Sequence, residues 1–403
     1  MADDVARSRS KSTVGSPVSR FCNFTLLQIA LPRAALLIPL ILLASCASQP
    51  AVQKPQRRPA EVRAEIVRLL PPKIADREGW ATDIYAAFAA LQIDATTQNL
   101  CATLAVTEQE STFTVNPAVP NLGQTAMAEI DRRAEQHGIP ALLVHGALLL
   151  KSSNGKSYGE RIAAARTEQD LSRIYEELIG KVPLGQRLFA NGNPVHTAGP
   201  MQVNITFAEE QVRVRPYPYP IGDSLRHELF TRRGGMYFGV AHLLDYRAPY
   251  DRPLYRFADF NAGRYASRNA AFQGAVSEAS GIPLALDGDL VSHDAAAGGK
   301  PGATELAVRS IAAKLGLDDS DIHRALEQDE SADFEQSEVY QRVFALGDRL
   351  HGSRLPRAVV PQIALKSPKI TRKLTTQWYA TRVDGRYQAC MAKQAAYAKA
   401  QGR

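Results

Sequence analysis

Residues 104–113 read LAVTEQESTF, an apolar helical run that ends in two acids, a serine and a loop. Glu108 and Glu110 lie two positions apart, about 200° around a helix axis, so they cannot share one face. Only one of them points into any given cleft. The run belongs to a longer helical pattern, ATTQNLCATLAVTEQE at 95–110, which opens on threonines suited to an N-cap and stops before Asn116-Pro117 and Pro120.

Working outward, the pattern stays helical almost throughout. PAEVRAEIVRLL (59–70) and GWATDIYAAFAALQI (79–93) place apolar residues at helical spacing. Further helices are predicted at 124–136, 140–150, 159–180, 223–247, 254–276, 303–316, 319–327, 336–350 and 369–399. Strand-like alternation is scarce: QVRVRPYPYP at 211–220 alternates, but its three prolines limit it to an edge or an extended loop. The fold class is therefore mostly α.

Three further strings carry chemistry: HTAGPMQVN at 196–204, RRGGMYFGVAHLLDY at 232–246 and YRFADFNAG at 255–263. With Glu110-Ser111-Thr112-Phe113 they supply, in order, Gly199-Pro200-Met201-Gln202, Gly239 to Leu244, and Phe260-Asn261-Ala262-Gly263. Each match is short. Their order resembles the lytic transglycosylase family with the goose-type lysozyme-like fold, whose pattern is Glu-Ser-x-Phe, Gly-x-Met-Gln, a Gly-x-x-Tyr-Leu helix and a Tyr-Asn-Ala-Gly turn. Two departures stand out. Residues 124–195 separate the first two strings, which lie close together in the family, so they are expected to form a helical insertion beside the groove. Phe260 replaces the family tyrosine whose hydroxyl bonds the catalytic carboxyl, and Tyr255, Tyr265 or Tyr237 is left to supply one.

The resemblance implies a lysozyme-like helical core over 60–277 with that insertion, while the Gly-, Asp- and Ala-rich residues 278–302 read as a linker to a C-terminal helical region at 303–403. It implies Glu110 as general acid and base, Met201 and Gln202 lining sugar subsites, Asn261 and Gly263 shaping the floor, and Ser111 and Phe113 securing the following loop. A carboxylic acid that must be protonated near neutral pH fits a Glu buried after the apolar turn Leu104–Val106, since burial disfavours its anion. Hydrolysis through two carboxylates needs a second acid roughly 5–9.5 Å away. These strings offer no obvious partner besides Asp259, which does not fall at a family catalytic position. A lytic transglycosylase needs one carboxylate, because the sugar's own 6-hydroxyl attacks the anomeric carbon. Plainer readings stand beside these: Glu110 as an exposed helix end, Glu108 as the acid, Met201 and Phe113 as core, Asn261 and Gly263 as a turn, and Tyr237, Phe238, Tyr246, Tyr250 and Tyr255 as helix packing.

The start of the chain points to a compartment. Basic residues up to Arg33 precede the apolar run AALLIPLILL (34–43), about half of the ~20 residues that a spanning helix needs. Residues 1–45 therefore read as a signal peptide, the alternative being an uncleaved anchor. Leu43-Ala44-Ser45-Cys46 resembles the bacterial lipobox, which implies lipidation at Cys46 and, with Ala47 following, the periplasmic face of the outer membrane. Acyl chains on Cys46 would anchor the chain without a spanning helix, and residues 46–59 read as a tether. Cys101 and Cys390 then remain, either as a disulfide in an oxidising compartment or as two buried thiols. Their spacing fits no zinc pattern, and neither a metal nor a cofactor is expected.

The charge finally loses its apparent meaning. The 48 basic and 41 acidic residues give +7, which invites a nucleic-acid reading. Residues 1–45 hold five basic and two acidic residues, and 354–403 alone hold 11 basic residues and one acid. The excess is a leader and a tail, so nucleic acid is not an expected partner. The expected partners are peptidoglycan glycan strands and the membrane reached through Cys46. Three functions are carried forward: a peptidoglycan lytic transglycosylase, a lysozyme-type hydrolase, and a non-catalytic lipoprotein that binds glycan or scaffolds envelope proteins.

Overall fold

Short polar side chains fix where the helices begin. Thr96, Ser157, Thr167, Asn204, Thr231, Ser337 and Thr375 each accept a backbone N–H two or three residues ahead, satisfying donors that a first helical turn leaves unpaired. The computed structural model describes residues 57–181, 192–248, 250–291, 300–365 and 374–402. The signal peptide, the lipobox with Cys46, and the tether up to residue 56 lie outside the described residues.

The described chain is mostly helical. It runs α1 (Pro59–Leu69), α2 (Arg77–Leu91), α3 (Thr97–Ser111), α4 (Leu122–Gln136), α5 (Ala141–Leu148), α6 (Tyr158–Ala164) and α7 (Glu168–Gly180). A two-stranded hairpin, β1 (Thr197–Ala198) with β2 (Val203–Asn204), leads into α8 (Ile205–Val214), α9 (Leu225–Leu229), α10 (Arg232–Leu244), α11 (Pro253–Ala262) and α12 (Ala266–Ser280). Then come α13 (Ala303–Ser310), α14 (Ala312–Leu315), α15 (Asp319–Leu326), a 3-10 turn (Ala332–Gln336) and α16 (Glu338–His351). A second small hairpin, β3 (Ala364–Leu365) with β4 (Leu374–Thr375), precedes the long final helix α17 (Thr376–Ala400). No described helix is long and apolar enough to cross a membrane.

Residues 55–403 form one compact unit around two apolar clusters. The larger gathers α1, α2, α3, α10 and α11 with Tyr379, Ala380, Val383 and Tyr387 of α17. The smaller packs α12 against α13, α15 and α16 around Phe272, Phe334 and Val343. The stretch 303–403 thus divides between the two clusters. Arg268 of α12, 1% exposed, bridges toward the second cluster. Its guanidinium donates to Asn269 Oδ1, to the carbonyl of Ser331 at 2.6 Å and to that of Asp329, and it lies 4.2 Å from the Tyr265 ring centroid. A buried cation persists only with its donors satisfied in this way.

Three stretches differ from the sequence expectation. Residues 211–214 are the last turn of α8, because the Asn204 cap starts a helix that runs until Arg215 meets Pro216; the alternation there was incidental to a helical surface. Residues 57–59, expected within the tether, pack on the fold: Arg57 donates to the carbonyl of Ala95 and to Glu65, and Pro59 opens α1. The predicted linker 278–302 starts inside α12, and its Leu290 is fully buried. Gly288 is held there by Gln273 Oε1 at 2.8 Å.

Cys101 of α3 and Cys390 of α17 are joined by a disulfide, their Cα atoms 5.6 Å apart. It closes a loop of 289 residues in sequence, and crosslinks of this kind stabilise chiefly by restricting the unfolded chain. The Cys101→Ser, Cys390→Ser double variant is expected to lose about 2–4 kcal/mol in urea unfolding. An unchanged midpoint would show that packing alone seats α17.

Candidate active site

Helix α3 delivers Glu110 to its last turn and then reverses sharply. Thr107 and Ser111 hydroxyls donate back to the carbonyls of Thr103 (2.8 Å) and Thr107 (3.2 Å). Thr112 and Phe113 follow in the left-handed region, at φ 51° and 60°, a conformation costing roughly 1–2 kcal/mol for each non-glycine residue. Burial of Phe113, its ring edge-on to Trp80 at 5.4 Å, holds the turn in place. Ser111 and Phe113 therefore fix the helix end.

The two acids part as the helical wheel requires. Glu108 borders a cleft of about 510 Å³ between α3 and α17. Glu110, half-buried, accepts a hydrogen bond at Oε1 from the hydroxyl of Tyr379. Desolvation pushes the Glu110 carboxyl up to about 7, while the Tyr379 bond pulls the other way. The C-terminal end of a helix also disfavours an added negative charge. Tyr379 itself is 5% exposed, and burial together with the adjacent carboxylate drives its hydroxyl far above its ordinary range. The tyrosine hydroxyl on the Glu110 carboxyl thus comes from the final helix, and not from Tyr255, Tyr265 or Tyr237.

Helix α17 reaches a second predicted residue one turn earlier. Thr376, fully buried, donates to Asn261 Oδ1 at 3.0 Å. Thr376 and Tyr379 are three apart and share a helix face. One helix therefore touches both the acid and the end of α11, where Gly263 terminates the helix at φ 110° with open space beside it.

The Gly-Pro-Met-Gln string forms the turn of the first hairpin. Gly199, at φ 77°, has no room for a side chain, because a Cβ would sit 2.3 Å from the carbonyl oxygen of Leu229. Met201 fills the notch left by Gly239 on α10 and has no exposed surface. It therefore backs the site and does not line it, a correction to its expected role as a sugar contact. Gln202 is half-buried, accepts from Thr197 Oγ1 and donates to the carbonyl of Gly199, both at 3.1 Å. A Gln amide so engaged keeps one N–H and one lone pair for a ligand.

Asp259 is 1% exposed and accepts from the hydroxyls of Tyr246 (3.1 Å) and Tyr250 (2.6 Å) and the N–H groups of Tyr265 (3.1 Å) and Ser267 (2.7 Å). Those bonds make it the hub joining α11 to α12. They also place Tyr246 and Tyr250 of the aromatic stripe in packing. His242 sits between Phe207 (4.6 Å) and Phe260 (4.8 Å), held neutral by burial, which depresses it to about 3.

The model of the family described as "Protein of unknown function (DUF1615)" matches residues 73–393. The chain belongs to the DUF1615 family. It is 51% identical over 356 residues to "Uncharacterized protein YaiW" of Escherichia coli (strain K12), covering 88% of this chain and 96% of that protein. No solved structure matches it. The DUF1615 region spans both Glu110 and Tyr379, so α17 is part of the family unit up to Lys393.

Sequence reading missed Tyr379 and His242. The stripe Thr376, Tyr379, Ala380, Val383 and Tyr387 in α17 is the signal that marks a buried helical face. Pairing α3 with α17 antiparallel from the Cys101–Cys390 crosslink would have brought Glu110 near residue 380. His242 carried no comparable signal.

A carboxyl raised in the folded state destabilises the fold once it ionises. Its contribution is fully present below the unfolded value of about 4.5 and is lost as pH rises through about 7. Glu110→Gln should therefore unfold at higher urea than wild type at pH 8, by about 1–3 kcal/mol, with the difference vanishing near pH 4. Equal stabilities at both pH values would mean that the carboxyl is solvated. Tyr379→Phe, which removes the bond favouring the anion, should raise the Glu110 titration midpoint further in carboxyl-labelled NMR.

Proposed function

We propose that this protein is a peptidoglycan lytic transglycosylase, cleaving the MurNAc–GlcNAc β-1,4 bond to a 1,6-anhydro product. The observation that carries the reading is the single carboxyl of Glu110, raised to about 7 and oriented by Tyr379. In the neutral acid Oε1 accepts from Tyr379 as the carbonyl oxygen, which leaves the proton on Oε2. That proton passes to the glycosidic oxygen as the C1–O bond breaks. The resulting carboxylate then takes the proton of the sugar's 6-hydroxyl as its oxygen bonds to C1. Both transfers use one group, and no water is consumed.

The setting of Asp259 supports this over a two-carboxylate hydrolase, since its oxygens are engaged by four donors within the fold. Gln202, with hydrogen-bonding capacity in reserve, and the open space at Gly263 are the places at which this chain would hold glycan. Lipidation of Cys46 would keep the enzyme at the periplasmic face of the outer membrane, within reach of that polymer. On this reading mass spectrometry finds Cys46 as an acylated N-terminus in wild type and no acyl group in a Cys46→Ala variant; an unmodified Cys46 in wild type would refute the anchor.

Purified protein incubated with sacculi should release anhydro-muropeptides, identified by mass spectrometry. Glu110→Gln should lower the rate at least about 100-fold, the scale of a lost general acid. The rate should fall above about pH 7, because the acid must be protonated to donate. Reducing ends in place of anhydro ends would favour the hydrolase, and full activity in Glu110→Gln would remove Glu110 from the mechanism.

A further inference from the structure

The cleft bordered by Glu108 has a charge pattern that the reaction at Glu110 does not use. Its floor includes Leu104 and Phe113, and its wall carries Arg382, Arg386 and Lys393 of α17. The volume of about 510 Å³ suits a few residues of peptide and not an extended surface. Three cations face one carboxylate. Among the described residues neither arginine has a carboxylate partner: Arg382 lies 5.3 Å from the Trp378 ring, and Arg386 donates at 3.4 Å to the carbonyl of Arg382. The Nε of Arg386 is buried without any hydrogen-bond partner, so the fold leaves this guanidinium under-satisfied. Lys393 donates to the carbonyls of Leu69 (3.2 Å) and Leu70 (3.3 Å), which leaves one of its three donors free.

We propose that this cleft binds an acidic peptide: the short stem carried by the glycan strand, with several carboxylates and one ammonium group. Arg382 and Arg386 take carboxylates through forked hydrogen bonds, Lys393 adds a third positive charge, and Glu108 receives the ammonium. The proposal rests on the transglycosylase reading for the identity of the peptide. Position supports the pairing of functions. Arg382 and Arg386 follow Tyr379 by one and two turns of α17. A stem seated here would press α17 onto α3 and hold Tyr379 against the acid.

The test compares the purified chain with an Arg382→Gln, Arg386→Gln double variant on sacculus strands with intact stems and on strands stripped of stems by an amidase. The preference of wild type for stem-bearing strands should drop about tenfold or more in the variant, the scale of lost charge-assisted bonds. A preference unchanged by the substitutions would overturn the proposal. A separate arm measures binding of the free stem tetrapeptide by calorimetry, which needs no catalysis. Salt-sensitive binding that weakens at least about tenfold in the variant supports the cleft even if no strand is cut, in which case only the enzymatic reading fails. No binding of the tetrapeptide by wild type, or binding to anionic vesicles in its place, overturns the peptide assignment. Matching thermal unfolding of the two proteins verifies that the variant is folded.

Discussion

The antiparallel seating of α17 on α3 is the constraint on which the site depends. It is fixed at two points, the Cys101–Cys390 disulfide and the Tyr379–Glu110 hydrogen bond. The pins lie 9 residues apart on α3 and 11 apart on α17 by their numbers, about 14 and 17 Å of helix. A crosslink at one end and a polar contact at the other leave little freedom to slide. The covering helix is also what removes water from Glu110, so a single packing event both raises the acid and orients it.

The remainder of the molecule supports that seating through satisfied buried polar groups. Asp259 gathers two tyrosine hydroxyls and two backbone N–H groups at the junction of α11 and α12, which fixes the helix on which α17 rests. Arg268 plays the matching part toward the second cluster, its charge spread over carbonyl oxygens and aromatic faces. Glycines at 199 and 239 let the first hairpin approach α10 so closely that Met201 is sealed in. Such networks are costly when incomplete and rigid when satisfied. They suit a site that holds a carboxyl at an unfavourable ionisation midpoint.

Much of the architecture was legible because helices declare themselves locally. The Thr96 cap, the apolar run to Val106 and the polar break after Glu110 are contiguous, and α3 follows from them. Divergence of Glu108 and Glu110 follows from helical geometry alone. The misreadings share one cause: local pattern was weighed without its tertiary partner. At 211–214 alternation outweighed the Asn204 cap, and the Gly- and Asp-rich stretch after α12 hid a buried Leu290. Met201 looked like a site residue by its motif, whereas its burial depends on the glycine at 239, far away in sequence.

Sequence alone determined the helical class, the place of Glu110 at a helix end, the leader-like start and the pairing available to the two remaining cysteines. These are properties of neighbouring residues, or of counting. Only the tertiary structure decided that the Tyr379 hydroxyl meets the Glu110 carboxyl, that Asp259 is a structural hub, and that Arg382 and Arg386 share a cleft with Glu108. The carboxyl and the hydroxyl are separated by 269 positions. Nothing local couples residues so distant; burial of the α17 face against α3 does, and no periodicity along the chain names the partner that a buried face will meet.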